Sequence, residues 1–192
     1  MRKTGRLLWV IFTTLAIQSC DGNIYKDNKG IAVHNGTTTD GEYRNGPALN
    51  KYDARFVTEA INSVMLEAEL GKLAQQKGSN QEVKAFGAMM LEDHTKSDDE
   101  LRTLALRKNI PAPAALGIDR QKIKDDLSTR TGADFDKAYL DYLIWDHERS
   151  IRLLENAGKN IQDPDLKAYV AYALPTIKMH LEHGKAIKDK MK

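Results

Sequence analysis

Cysteine is almost absent from this chain: its 192 residues hold one, Cys20. An intramolecular disulfide and any multi-cysteine metal site are therefore excluded. Neither sign of charge dominates. The formal net charge of +2 includes Arg2, Lys3 and Arg6 near the N-terminus, and leaving those three out turns 29 basic residues into 26 against 27 acidic ones. A body so close to neutral lacks the basic face that nucleic acid requires, and that class of partner is excluded. A bilayer-spanning run is missing too. The N-terminal apolar stretch Leu7 to Ile17 has 11 residues, where a spanning helix needs about 20. No phosphate loop, nucleophile–base pair or paired-carboxylate motif stands out, so the sequence offers no recognisable catalytic constellation.

What is present begins with that N-terminal stretch. A positive segment, a short apolar run and then Ile17-Gln18-Ser19-Cys20 have the order of a secretory signal. The last four residues resemble a bacterial lipobox, in which the cysteine is lipidated and becomes the mature N-terminus. Residues 1–19 are thus expected to be a lipoprotein signal peptide, with the mature chain held to a membrane of the cell envelope through Cys20. Residues 20–51 are rich in glycine and carry apolar residues without period, as a flexible tether would. His34 lies within it and is assigned no role.

From residue 52 onward the punctuation is helical. The pattern predicts a first long helix from about Ala54 to Lys77, with Asp53 as N-cap and Gly78 as stop. Ser79-Asn80-Gln81-Glu82 reads as a capping box that opens a second, running to about Lys108 before Pro111 and Pro113. A long connection follows, with a short helix expected over Asp119 to Ser128. A third long helix is expected from about Ala133 to Ala157, stopping at Gly158. Asp163-Pro164 opens the fourth, which continues to about Lys190 and contains Pro175, where a kink is expected. No stretch of residues 52–192 reads as a strand. Four long helices with one long middle connection make an all-α four-helix bundle.

Two segments half a chain apart repeat a pattern. Asp93-His94-Thr95-Lys96-Ser97 and Asp146-His147-Glu148-Arg149-Ser150 both read Asp-His-x-Lys/Arg-Ser, each with a leucine seven residues beyond the histidine, Leu101 and Leu154. Helical projection places His94 and His147 at the centre of their apolar stripes, and it does the same for Glu67 on the first helix and His180 on the fourth. All four fall within about 3 residues, or roughly 5 Å, of their helix midpoints, so they sit at one height whichever way the helices run. Three imidazoles and a carboxylate at one level suit a single transition-metal ion: Zn, Fe, Mn or Cu. His183, one turn past His180, is a possible extra ligand. Asp93 and Asp146 project about 100° off the stripes, as surface groups or as carboxylates that orient an imidazole through its other nitrogen. The same four residues also suit a metal-free buried polar layer that fixes helix register, because buried polar groups must find partners.

Leu66 to Ala74, Glu82 to Phe86, Asp93-His94-Thr95, Gly132 to Asp136, and Leu174-Pro175-Thr176 with His180-Leu181 together resemble the bacterial envelope family named domain of unknown function 4142, over about residues 53–190. The resemblance implies a ferritin-like four-helix bundle, usually exported, without an established activity. Ferritins with di-iron centres use two Glu-x-x-His motifs, whereas the residues three before His94, His147 and His180 are Leu91, Ile144 and Ile177. Oxygen-activating di-iron chemistry is not expected. Two functions remain open: an envelope lipoprotein binding a transition metal through the inward Glu/His cluster, or a metal-free structural or stress-response module with a protein or cell-wall partner.

Overall fold

The computed structural model describes residues 49–192, and the backbone of two short strands before them. The strands are β1 (Tyr25–Lys26) and β2 (Ala32–Val33), paired antiparallel with Tyr25 opposite Val33. They belong to a unit separate from the helices. The signal segment, Cys20 and His34 lie outside the described residues.

The helical unit has five elements: α1 (Lys51–Lys77), α2 (Gln81–Arg107), α3 (Ile118–Ser128), α4 (Gly132–Asn160) and α5 (Pro164–Lys190). Helix ends differ from the sequence expectation where a side chain is committed elsewhere. Asp53 does not cap α1; Asn50 does, its Oδ1 accepting from the N–H of Asp53. The Asp53 carboxylate is buried and accepts from the N–H groups of Gln162 and Asp163 across the molecule. Ser79 does not cap α2 either. Asn80 takes that place, and the N–H and Oγ of Ser79 both donate to Asp136 on α4. α4 runs through Gly158 to Asn160, since an isolated glycine weakens a helix without ending it. Asp163 caps α5 as expected, with Oδ1 taking the N–H groups of Asp165 and Leu166. α5 is continuous across Pro175, which is exposed. At the end of α2, Asn109 takes a positive φ of 54° and Ile110 N–H reaches back to the carbonyl of Ala105, a left-handed helix stop.

Side-chain ties give the helix directions. Asp53 at the start of α1 meets the α4–α5 turn, so α1 and α4 run in opposite senses. Lys108 at the end of α2 pairs with Asp163 at 2.7 Å, and Lys190 at the end of α5 pairs with Glu82 at 2.8 Å, so α2 and α5 are antiparallel. With the short turns joining α1 to α2 and α4 to α5, the order is up, down, down, up. The connection between α2 and α4 must therefore climb the full height of the bundle, and α3 does so packed against α1. One long crossover of this kind is the ferritin-like arrangement.

Glycine sets the spacing of the α1–α2 pair. A Cβ on Gly71 would stand 2.6 Å from the carbonyl oxygen of Gly87, and one on Gly87 would stand 2.5 Å from the Cβ of Ala74. Only glycine permits so close an approach.

The apolar interior is in two pieces. One gathers Val57, Ile61 and Val64 with Leu101, Leu104, Leu154, Leu166 and Val170. The other gathers Leu66, Leu70 and Leu73 with Phe86, Met90, Phe135, Tyr139, Leu143 and Ile187. On α2, α4 and α5 the buried histidines His94, His147 and His180 lie between the two sets, with buried Asp146 beside His147; on α1 Glu67 sits at their junction. A polar layer thus divides the core at mid-height.

Candidate metal centre

Each helix delivers one member of that layer because its apolar stripe, period 3.6, reaches the mid-plane at that residue. Glu67, His94, His147 and His180 are all at most 2% exposed. The three imidazoles stand close, with ring centroids 6.1 Å apart for His94 and His147, 5.3 Å for His94 and His180, and 5.6 Å for His147 and His180. One nitrogen from each lies within 4.8 Å of the other two. Glu67 touches the layer through His94, Oε2 to Nε2 at 2.8 Å, and stands outside the converging set of three nitrogens.

Hydrogen bonds decide which nitrogen each ring has to offer. His147 Nδ1 is 2.9 Å from the carbonyl of Leu143, so it carries the proton and donates, leaving Nε2 with its lone pair. His180 Nε2 is 2.9 Å from Oδ2 of Asp93 and donates to it, leaving Nδ1. Those two atoms, His147 Nε2 and His180 Nδ1, are buried and have no partner, and neither nitrogen of His94 has an aligned one. The His94–Glu67 contact is close in distance but off the line of a ring N–H. A buried polar atom without a partner costs about 1–3 kcal/mol. Three buried rings that each have an unpartnered nitrogen and each bring one nitrogen within 4.8 Å of the other two, with two rings anchored through their other nitrogen to a carbonyl or a carboxylate, resemble the donor arrangement of metal-ligating histidines.

Electrostatics keeps the rings available. Burial pushes His147 down to about 4, and the neighbouring His94 and His180 add to this against the pull of Glu67. Burial likewise lowers His180, although its bond to Asp93 opposes the shift. Both are neutral at neutral pH, as ligands must be.

Asp146 departs from the sequence reading as a surface group. It is 4% exposed and faces Glu67. Burial, then the charge and hydrogen bond of Glu67, raises Asp146 to about 8. Burial pushes Glu67 up as well, but the imidazoles of His94 and His147 and the hydrogen bond from Asp146 outweigh it, and Glu67 lies well below the usual carboxylate range. At neutral pH the two carboxyls share one proton, carried by Asp146. No pattern along the chain marks this buried pair, since its two carboxylates stand on different helices. Its one visible signal was that Asp146 directly precedes a histidine. Asp93 does turn an imidazole through its far nitrogen, as expected of it, but the ring is that of His180 on α5 rather than its neighbour His94.

His183 does not join the layer. It is exposed, and its ring rests against Phe86 with centroids 5.2 Å apart. It lies one turn beyond His180 and about 60° round the helix, which sets it against Phe86 rather than among the three imidazoles.

A family model described as "Domain of unknown function (DUF4142)" matches residues 39–187. The chain belongs to this family. Among solved structures, the DUF305 fragment from Deinococcus radiodurans is similar with a TM-score of 0.67 at 10% identity, over 75% of this chain and 99% of that one. CopM in its Cu(I)-bound form gives a TM-score of 0.61 at 16% identity, over 72% of this chain and 96% of that one. CopM in its Ag-bound form gives 0.60 at 18% identity, over 72% and 96%. Such identities establish a shared helical bundle. No curated protein matches the sequence.

Proposed function

We propose that this DUF4142 chain is a lipid-anchored envelope protein whose bundle holds one transition-metal ion at mid-height. His94, His147 and His180 supply the nitrogens, and Glu67 supplies a compensating negative charge beside them. The observation that carries the reading is that one nitrogen of each of the three buried imidazoles lies within 4.8 Å of the other two, in rings that each have an unpartnered nitrogen. A tetrahedral ion bound at about 2.0–2.1 Å brings its ligands to about 3.3 Å apart. The difference is of the size that side-chain rotation covers. Affinity of nitrogen sites rises along the first-row metals to copper and stays high for zinc. CopM has been solved with copper and with silver, which makes copper the first ion to test.

The experiment is a metal analysis of protein purified without a histidine tag, before and after loading with Cu or Zn. About one ion per chain is expected, and none in the double variant His94→Ala, His147→Ala. Equal binding by the double variant would place the ion elsewhere. The close Glu67–His94 contact favours a second reading, a metal-free layer that fixes helix register; that reading predicts no metal in either protein.

The anchor rests on Cys20, the sole cysteine, at the end of a short apolar segment. Among the described residues no helix is long and apolar enough to cross a membrane. Cys20→Ala is expected to release the protein from membrane fractions or leave its precursor unprocessed. Unchanged processing and membrane association would remove the anchor from the proposal.

A further inference from the structure

The layer is closed on most sides. Glu67, Asp146 and Leu143, which contact the imidazoles or one another there, are buried. The α1–α2 pair is brought together at Gly71 and Gly87, and α3 lies over α1. The α2–α5 seam differs. Like the α1–α4 contact, which α3 flanks, it is thinner than either hairpin, and its rungs are single side-chain pairs: Lys108 with Asp163, Lys96 with Tyr172, Ser97 with Tyr169, Asp93 with His180, Phe86 with His183, Glu82 with Lys190. Among the described residues shown touching an imidazole of the layer, Asp93 alone reaches solvent. Its side chain is 36% exposed while that of its partner His180 is fully buried. One carboxylate therefore has one end in water and the other on a ring of the layer. We propose that metal ions pass between solvent and the three-histidine layer through the α2–α5 seam, and that Asp93 is the portal: its carboxylate takes the ion up, and the His180 ring bonded to it swings to let the ion reach the ring's other nitrogen, Nδ1. A carboxylate suits the role because it attracts the cation, exchanges water for a weak oxygen bond, and yields to imidazole, which binds first-row ions more strongly. In the loaded state Asp93 keeps its bond to His180 Nε2 and the ion sits on the ring's other nitrogen.

This inference rests on the metal reading above and predicts a rate rather than an affinity. Cobalt(II) is a suitable probe, since its visible absorption reports entry into a nitrogen site; uptake is followed by rapid mixing with the purified full chain at low ionic strength. Asp93→Asn preserves the shape and the acceptor for His180 while removing the charge, and is expected to slow uptake about tenfold with the final stoichiometry retained. Asp93→Glu, which restores the carboxylate, is expected to recover most of the rate. Glu92→Gln removes the same charge from the exposed residue beside it and is expected to leave the rate as in the wild type. Uptake by Asp93→Asn at the wild-type rate, or equal slowing by Glu92→Gln, would overturn the portal while leaving the metal site standing. A wild-type chain that takes up no cobalt, copper or zinc would overturn both.

Discussion

Two groups one residue apart on α4 are tuned in opposite directions, and stability should record both. His147 is neutral in the folded chain down to about pH 4, whereas in the unfolded chain it gains a proton near its ordinary value of 6.5. Between those values the unfolded chain binds the extra proton, so the contribution of His147 is complete above pH 6.5 and is lost as pH falls toward 4. Asp146 behaves in reverse. It keeps its proton up to about pH 8 when folded and releases it near 3.8 when unfolded, so its contribution is complete below pH 3.8 and is lost as pH rises toward 8. Between about pH 4 and 6.5 the two slopes are opposed and cancel, so denaturant titrations in the presence of chelator are expected to show these two groups as a net decline in stability from about pH 6.5 toward 8. Asp146→Asn carries no proton to lose and should flatten the alkaline decline while exposing the acid-side loss of His147 between about pH 6.5 and 4. An unchanged alkaline limb in that variant would mean that Asp146 and Glu67 do not share a proton. These residues also mark how far a sequence reads at this scale. The inward direction of Glu67, His94, His147 and His180 follows from a period of 3.6, which is a property of one helix. The burial of Asp146, off that stripe, depends on a carboxylate 79 positions earlier on another helix, and no local pattern encodes it.

At the scale of elements, helix identity was legible and helix termini were less so, for one reason. Asp53, Ser79 and Asp136 are good capping residues whose polar atoms serve a neighbouring helix. The Asp136 carboxylate alone receives the N–H and Oγ of Ser79 and the N–H of Asn80, clamping the α1–α2 turn to α4. Propensity rules name the residue type suited to a cap but not the helix it will cap. The close approach of α1 and α2 was similarly silent, since Gly71 and Gly87 read as ordinary stripe positions. The pair makes a prediction. Gly87→Ala puts a methyl group 2.5 Å from Ala74 Cβ and is expected to cost about 1–3 kcal/mol, as overpacking does. Gly158→Ala, in a helix interior with only Val170 at 3.6 Å, is expected to be neutral or to stabilise by up to about 1 kcal/mol. Chemical denaturation of both variants checks the contrast. Equal effects at the two positions would mean that the α1–α2 spacing is not set by glycine.

At the scale of the whole molecule, a ferritin-like crossover bundle has been kept without the ferritin ligands. Each long helix brings one residue of its apolar stripe to mid-height, and in this chain those residues are three imidazoles and one carboxylate. A layer of that kind interrupts the apolar core and leaves buried nitrogens without partners, a cost that a bound ion would offset. Melting of the purified, tag-free protein, with chelator and then with added copper or zinc, tests this most directly. An ion that binds only the folded chain stabilises it by RT ln(1 + [L]/Kd), about 2.7 kcal/mol at a hundredfold excess over Kd. The expected result is a Tm lowered by chelator and restored by metal in the wild type and in His34→Ala, with no response in the double variant His94→Ala, His147→Ala. A Tm indifferent to chelator and to added metal, in protein shown to contain none, would contradict the account and leave the layer as a device of helix register.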